Sequence, residues 1–298
     1  LKNYVYNIPD LFFDGKPSAT NIHFYHTNKS SKNNKVSFSQ NLICIMQGGE
    51  KEISGAAVNE KFDASQLYIL SKGNVLMTET TTNDDVYQSI LLFFSNDYLI
   101  DFLHRYSITP EKGSGNIPCL KIGKDDFLLN FEKSLEILKS EFKREIGLLQ
   151  AKVDEILLYL LQADFLRTSA LLLNILSKEK YTSLTPVVLA NLDNNLTIRE
   201  LAFLCNMSLS TFKRKFSEAF NTTPKQYFIE HRMRKAIALL KENRRPSDIY
   251  TELGYEGLPA FSTEFKKHFG VSPKAFIKSG HSQQHIGLLE KVQVGLFR

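Results

Sequence analysis

The stretch Leu209–Phe220, LSTFKRKFSEAF, is echoed forty-nine residues later by Leu258–Phe269, LPAFSTEFKKHF. Phe212, Phe216 and Phe220 stand four apart, as do Phe261, Phe265 and Phe269, so each trio falls on one face of a helix with charged residues on the others. Each stretch is followed at the same distance by a proline. Thr223-Pro224-Lys225-Gln226 reads as a capping box with proline at the first helical position, and Ser272-Pro273-Lys274 is its counterpart. Upstream of each phenylalanine helix lies another helix start. Thr197-Ile198-Arg199-Glu200 is a capping box, and Pro246-Ser247-Asp248 opens the matching segment. The turn CNMS from Cys205 is one residue shorter than GYEGL from Gly254, so the offset is 48 before the turn (Leu201 to Ile249) and 49 after it. The sequence therefore predicts two helix-turn-helix units joined by one long helix, TPKQYFIEHRMRKAIALLKEN.

This order of residues resembles the AraC/XylS family of bacterial transcription regulators. The resemblance covers Leu196 to Ile277, and its signature is the run SDI…LGY…F…FKKHFGVSPKAF from Ser247 to Phe276. Tyr250 departs from it, because the family usually carries a small residue there, and this bears on the close packing of that helix. The resemblance implies a C-terminal domain that binds double-stranded promoter DNA, commonly to activate transcription with RNA polymerase. It also implies a cupin-like N-terminal domain that senses a small-molecule effector or forms a homodimer. A ligandless regulator held by a protein antagonist is an alternative within the family. A DNA-modifying or repair enzyme carrying such a domain is another, but it needs a reactive cysteine, and Cys44 and Cys119 lack suitable neighbours.

Charge agrees with a polyanion partner. Residues 1–181 hold 20 Lys and Arg against 22 Asp and Glu, residues 182–280 hold 15 against 9, and the tail adds one positive charge to reach +5 overall. The basic excess thus lies with the repeat, where clustered cations would meet phosphates. With Phe212 and Phe216 turned inward, Ser210, Thr211, Lys213 and Arg214 face outward. Arg214 can present a fork to guanine O6 and N7, worth ~1–3 kcal/mol of discrimination, while Lys213 and Lys215 suit base reading or phosphate contact equally. The matching outward residues of the second unit are Pro259, Ser262 and Thr263, with no long basic side chain. Base readout is therefore expected mainly from the first unit, and Lys266, Lys267 and Lys274 are expected to hold phosphate, with Lys225 joining the DNA-binding set.

The first half reads differently. NLICIMQGGEKEIS and SQLYILSKGNVLMTET place apolar residues around Gly48-Gly49 and Gly73-Asn74, which predicts hairpins, and VYQSILLFFS from Val86 reads as a buried strand. From Asn96, taken as a cap, the spacing turns helical, and Val153–Leu176 offers more apolar positions than one stripe requires, which makes it a candidate dimer interface. The expected fold is α+β: a β-rich N-terminal domain over residues 1–180, with strands to about 95 and helices after, then an all-α domain over 181–280 and a tail at 281–298. Lys180–Pro186 is the expected linker.

Other chemistry finds little support. His23 and His26 in HFYH have no further ligands nearby, so no metal is expected. Asp125-Asp126 suits a helix cap better than a catalytic pair. No nucleotide-binding glycine loop, GxSxG elbow or HExxH occurs, so neither enzyme activity nor a cofactor is expected. Three scattered cysteines predict free thiols. With no run near the ~18 apolar residues of a membrane span and no secretory leader, a cytoplasmic protein is expected.

Overall fold

The computed structural model describes residues 4–14, 17–55, 58–81, 86–111, 117, 119–141, 146–176 and 184–278. The chain divides into two compact units, with the main boundary after Ala190. Of the linker expected at Lys180–Pro186, residues 180–183 lie outside the described ones, as does the tail at 281–298. Leu184–Pro186 begin a helix of the first unit.

The first unit is built on strands β1 (Val5–Ile8), β2 (Thr20–Thr27), β3 (Ser31–Phe38), β4 (Asn41–Gly48), β5 (Glu50–Gly55), β6 (Asn59–Phe62), β7 (Gln66–Leu70), β8 (Gly73–Thr80), β9 (Tyr87–Phe94) and β10 (Cys119–Gly123). They form two sheets, ordered β1-β3-β8-β5-β6 and β10-β7-β4-β9-β2. The helices are α1 (Asn96–Arg105), α2 (Asp126–Ile137), α3 (Ile146–Ala163), α4 (Phe165–Leu176) and α5 (Leu184–Ala190).

The second sheet is buried on both faces, which explains its unbroken apolar strands. Along β4, Leu42, Cys44 and Met46 join the core shared with the first sheet, while Ile43 and Ile45 alternate to the helical side. Strands β7 and β9 divide the same way. The expected hairpins at Gly48-Gly49 and Gly73-Asn74 are not formed. The chain does turn at Gly49 and again at Ser71–Lys72, just before Gly73-Asn74 open β8, but β4 and β5 belong to different sheets, as do β7 and β8, so each turn is a corner that carries the chain from one sheet to the other. Gly49 makes its corner at φ +78, with no room for a Cβ, which would lie 2.7 Å from the Thr80 carbonyl oxygen.

Strands also do not end near 95. β10 follows α1 and pairs antiparallel with β7 at the edge of the second sheet. Helix α1 is capped one residue earlier than expected, by Ser95, whose Oγ accepts from the Tyr98 amide. Asp125 caps α2 as expected, accepting from the Leu128 amide at 2.9 Å.

The apolar surplus of α3 and α4 is consumed inside the unit. Val153, Ile156, Leu157, Leu160 and Leu161 are all buried in the helical core together with Leu171, Leu172 and Ile175. A helix packed against both a sheet strand and α4 needs two apolar stripes, which accounts for these buried positions within the unit. Between α1 and α3, the buried Asp154 accepts both guanidinium nitrogens of Arg105 at 2.6 and 3.0 Å, and also the hydroxyls of Tyr98 and Tyr106.

The second unit is helical: α6 (Ile198–Leu204), α7 (Leu209–Phe220), α8 (Pro224–Lys241), α9 (Pro246–Ile249), α10 (Leu258–Phe269) and α11 (Pro273–Lys278). Its two halves repeat down to single backbone bonds. The turn that follows the first helix of each half contains a left-handed residue, Asn206 (φ 54) or Gly254 (φ 78). The next amide then closes a six-residue loop, Met207 to the Ala202 carbonyl and Tyr255 to the Tyr250 carbonyl, both at 2.9 Å. The second helices end alike, at Asn221 (φ 53) and Gly270 (φ 78). Tyr250, just past the end of regular helix at Ile249, packs half-buried against the core of the second half.

Candidate nucleic-acid interface

Helix α7 is held by its phenylalanine face. Phe212 and Phe216 are buried, and the Phe216 ring lies edge-on to Tyr227 of α8 at 5.4 Å between centroids. Phe220, half-buried, stacks at an angle on Phe216 and Tyr227. In the second half, Phe261, Phe265 and Phe269 are buried in a core that takes in Met233, Ile237 and Leu240 of α8 as well as Phe276 of α11. These rings fix which residues of α7 and α10 point away from the unit.

On α7, Ser210, Lys213, Arg214 and Lys215 are exposed, and Thr211 is half-buried. Three of these polar residues are engaged locally. Ser208 caps α7 through the Thr211 amide, and its hydroxyl lies 2.8 Å from Thr211 Oγ1 and 3.0 Å from Ser210 Oγ. Arg214 is paired with Glu218. Lys225 is exposed on the first turn of α8, behind the Thr223 cap. On α10, Pro259 and Thr263 are exposed and Ser262 is half-buried, while Lys266 and Lys267 are exposed on its last turn. Lys274 is exposed on α11. The expected residues of α7 thus lie outside its buried phenylalanine face, and α10 offers an uncharged first turn followed by a basic last turn.

Two features escaped sequence reasoning. One is Ser208, which orients the hydroxyls of Ser210 and Thr211. Its signal was present, because a serine just before a helix start is a strong N-cap. The other is a chain of ion pairs across the unit: Asp193 to Lys235 of α8 at 3.2 Å, Lys235 to Glu252 at 3.5 Å, and Glu252 to Arg244 at 2.8 Å. Sequence offers no signal for this, since the partners lie 8 to 42 residues apart. The Arg244 hydrogen bond holds the Glu252 carboxyl below its ordinary range. Burial would raise Asp193, but hydrogen bonds from His231 and Lys235 outweigh it and hold that carboxyl low as well. Among the described residues, no group of three or more His, Cys, Asp or Glu could hold a metal ion. No described helix is long and apolar enough to cross a membrane. Cys44, Cys119 and Cys205 are free thiols.

Two matching helix-turn-helix halves around one connecting helix define a tandem helix-turn-helix protein. Comparison with known proteins gives the same class: the family model described as a helix-turn-helix domain matches residues 201–279, and that of the ExsA N-terminal regulatory domain matches 41–168. Its second unit is a helix-turn-helix domain of the AraC type. It is 38% identical over 81 residues to the HTH-type transcriptional regulator AlkR of Acinetobacter baylyi, a match spanning 27% of this chain and 26% of that one. A longer match, 22% identical, joins 82% of this chain to 85% of the lactose operon transcription activator of Staphylococcus xylosus. With AlkR and with ArgR of Pseudomonas aeruginosa, the match spans less than a third of the relative's length. Among solved structures, ToxT of Vibrio cholerae superposes with a TM-score of 0.41 at 14% identity, over 88% of this chain and 97% of that one.

Proposed function

We propose that this chain is a sequence-specific regulator of transcription that binds double-stranded promoter DNA through its second unit, as an activator. The observation that carries this reading is the pair of second helices, α7 and α10. Each is fastened by buried phenylalanines, and α7 presents Ser210, Lys213, Arg214 and Lys215 on its outer surface. In this reading Arg214 reads a base edge with help from Ser210 and Thr211. Pro259, Ser262 and Thr263 fit α10 against a second groove segment, and Lys213, Lys215, Lys225, Lys266, Lys267 and Lys274 hold phosphate. The name of the Staphylococcus xylosus relative favours activation, hence RNA polymerase as a partner. The ExsA-type match favours a regulatory role for the first unit, by effector binding or by homodimerisation.

On this reading residues 1–180 regulate, 181–280 bind DNA, and the protein works in the cytoplasm without catalytic activity. The experiment is selection of duplexes from a random pool by the full-length protein, followed by titration of the winner at several salt concentrations. A consensus with two segments about one helical turn apart, and an affinity falling steeply with salt, is the expected result. A pool that yields no consensus, or a flat salt response, would overturn it.

A further inference from the structure

The two sheets of the first unit leave a cavity of about 200 Å³ between them, beside β1 and the 3-10 turn Asp10–Phe12. Most of its wall is apolar, including Val36, Phe38, Leu42, Met77 and Leu91. Lys51 and Glu79 also line it, at 4% and 8% exposure. They are direct partners across β5 and β8, with Lys51 Nζ 3.1 Å from Glu79 Oε1. Tyr25, another lining residue, donates its hydroxyl to Glu79 Oε2 at 3.1 Å, and the Lys51 ammonium stands 5.0 Å from the centre of the Tyr87 ring. Burial alone would tend to discharge Lys51, but the neighbouring Tyr68 and Tyr87 and then Glu79 hold its pKa well above the ordinary lysine value.

An ion pair buried this deeply seldom stabilises a fold better than apolar residues of the same size would. Its chemistry does suit a ligand. The pair is neutral overall and sets an N–H donor beside a carboxylate acceptor, and a hydroxyl can satisfy both at once. A ligand carboxylate would accept from Lys51 but meet Glu79 at close range, and a cation would meet Lys51. Size narrows the choice further. A dry cavity of about 150 Å³ takes one benzene ring, so this one has room for a single substituted ring and none for a long acyl chain. The shortage of polar wall disfavours a sugar, whose other hydroxyls would be stranded.

We propose that this cavity binds a neutral, single-ring molecule bearing a hydroxyl, a phenol or cyclic alcohol, whose hydroxyl accepts from Lys51 and donates to Glu79. The ligand enters past Leu11, a lining residue that is 52% exposed. This rests on the regulatory reading of the first unit and gives it a ligand class.

The test is calorimetric titration of the full-length protein with para-cresol, and with toluene, benzoate, glucose and decanoate as comparisons. Para-cresol should bind at one equivalent per chain, and toluene, which lacks only the hydroxyl, should bind at least about tenfold more weakly, the loss expected for a hydrogen bond to charged groups. Lys51→Met with Glu79→Leu should abolish that difference, since an apolar wall does not favour the hydroxyl. Should the double variant fail to fold, the cresol and toluene titrations of the wild type decide alone. No binding of para-cresol at millimolar concentration, equal binding of toluene, or tighter binding of benzoate, glucose or decanoate would overturn the proposal. DNA titrated in parallel separates the two readings: absent cresol binding with intact DNA binding sinks only the ligand.

Discussion

Arg214 Nη1 lies 2.8 Å from Glu218 Oε1, one helical turn further along α7, with both side chains largely exposed. Arg214, proposed above to read a base edge, is therefore held by a neighbour on its own helix. An exposed i,i+4 pair is worth only ~0.3–0.5 kcal/mol, so DNA can break it at little cost. Glu218→Gln should leave the unfolding midpoint almost unchanged and tighten DNA binding, because a carboxylate is removed from beside the phosphates. Titration with one duplex checks both, and weaker binding would show that Glu218 positions Arg214 rather than competing for it.

The two helices should divide their labour. Arg214→Ala should relax preference at one base position by ~1–3 kcal/mol, whereas Lys266→Ala should weaken all sequences alike and reduce the salt slope by about one. Affinities for a panel of single-base variants at three salt concentrations separate the cases. Equal loss of specificity in both variants would remove the distinction.

The turn of the second half should tolerate no side chain. Gly254 sits at φ +78, and a Cβ there would lie 2.0 Å from Asn195 Oδ1. Gly254→Ala should cost at least ~1–2 kcal/mol for the left-handed conformation alone, plus the displacement of Asn195. Asn206 occupies the equivalent place in the first half, so Asn206→Gly should be nearly neutral by the same measurement in urea.

The ion-pair chain makes the second unit acid-sensitive. Asp193 and Glu252 are both held below their ordinary values of 3.8 and 4.5. A lowered folded-state pKa means stability that is fully present above the unfolded value and is lost as pH falls through the folded one. Glu252→Gln should therefore be less stable than wild type at pH 7, with the gap closing below pH 4.5. A gap of constant size down to pH 2 would assign the effect to packing.

The repeat was legible because helix caps, phenylalanine spacing and turn length are local, and tandem copies check each other. The capping boxes at Thr197 and Thr223 formed as written: the Glu200 and Gln226 amides donate to the threonine hydroxyls at 3.2 and 3.3 Å. The sheets were less legible. Gly49 does make a turn and Gly73-Asn74 stand just after one, but a turn residue carries no record of which sheet the next strand joins. β10 went unread because Cys119–Gly123 is five residues long and stands between helices. β2 is an edge strand, half-buried along most of its length, and its polar residues, His23 and His26 among them, blur the alternation that marks a strand. His23 is explained by packing: its ring stacks on Phe12 at 3.8 Å, and burial, then His26, lowers its pKa.

Burial changes how dimerisation must be tested. Leu157 is 0% and Leu161 6% exposed, so glutamate at either place would unfold the first unit by stranding a charge in its helical core, and nothing about association could be learned. Within the same stretch, Phe165 and Leu166 are the large apolar side chains on the surface, at 39% and 58% exposure, on the first turn of α4. That turn is secured independently by Asp164, whose carboxylate accepts from the Arg167 amide at 3.1 Å. If the protein dimerises through this face, Leu166→Glu should shift sedimentation from dimer to monomer while the circular dichroism stays that of the wild type, and Leu157→Glu should lose both. A wild type that sediments as a monomer at tens of micromolar, where a dimer with a Kd of ~1 μM would be largely formed, removes the homodimer. A Leu166→Glu variant that stays dimeric moves the interface to another surface of the protein.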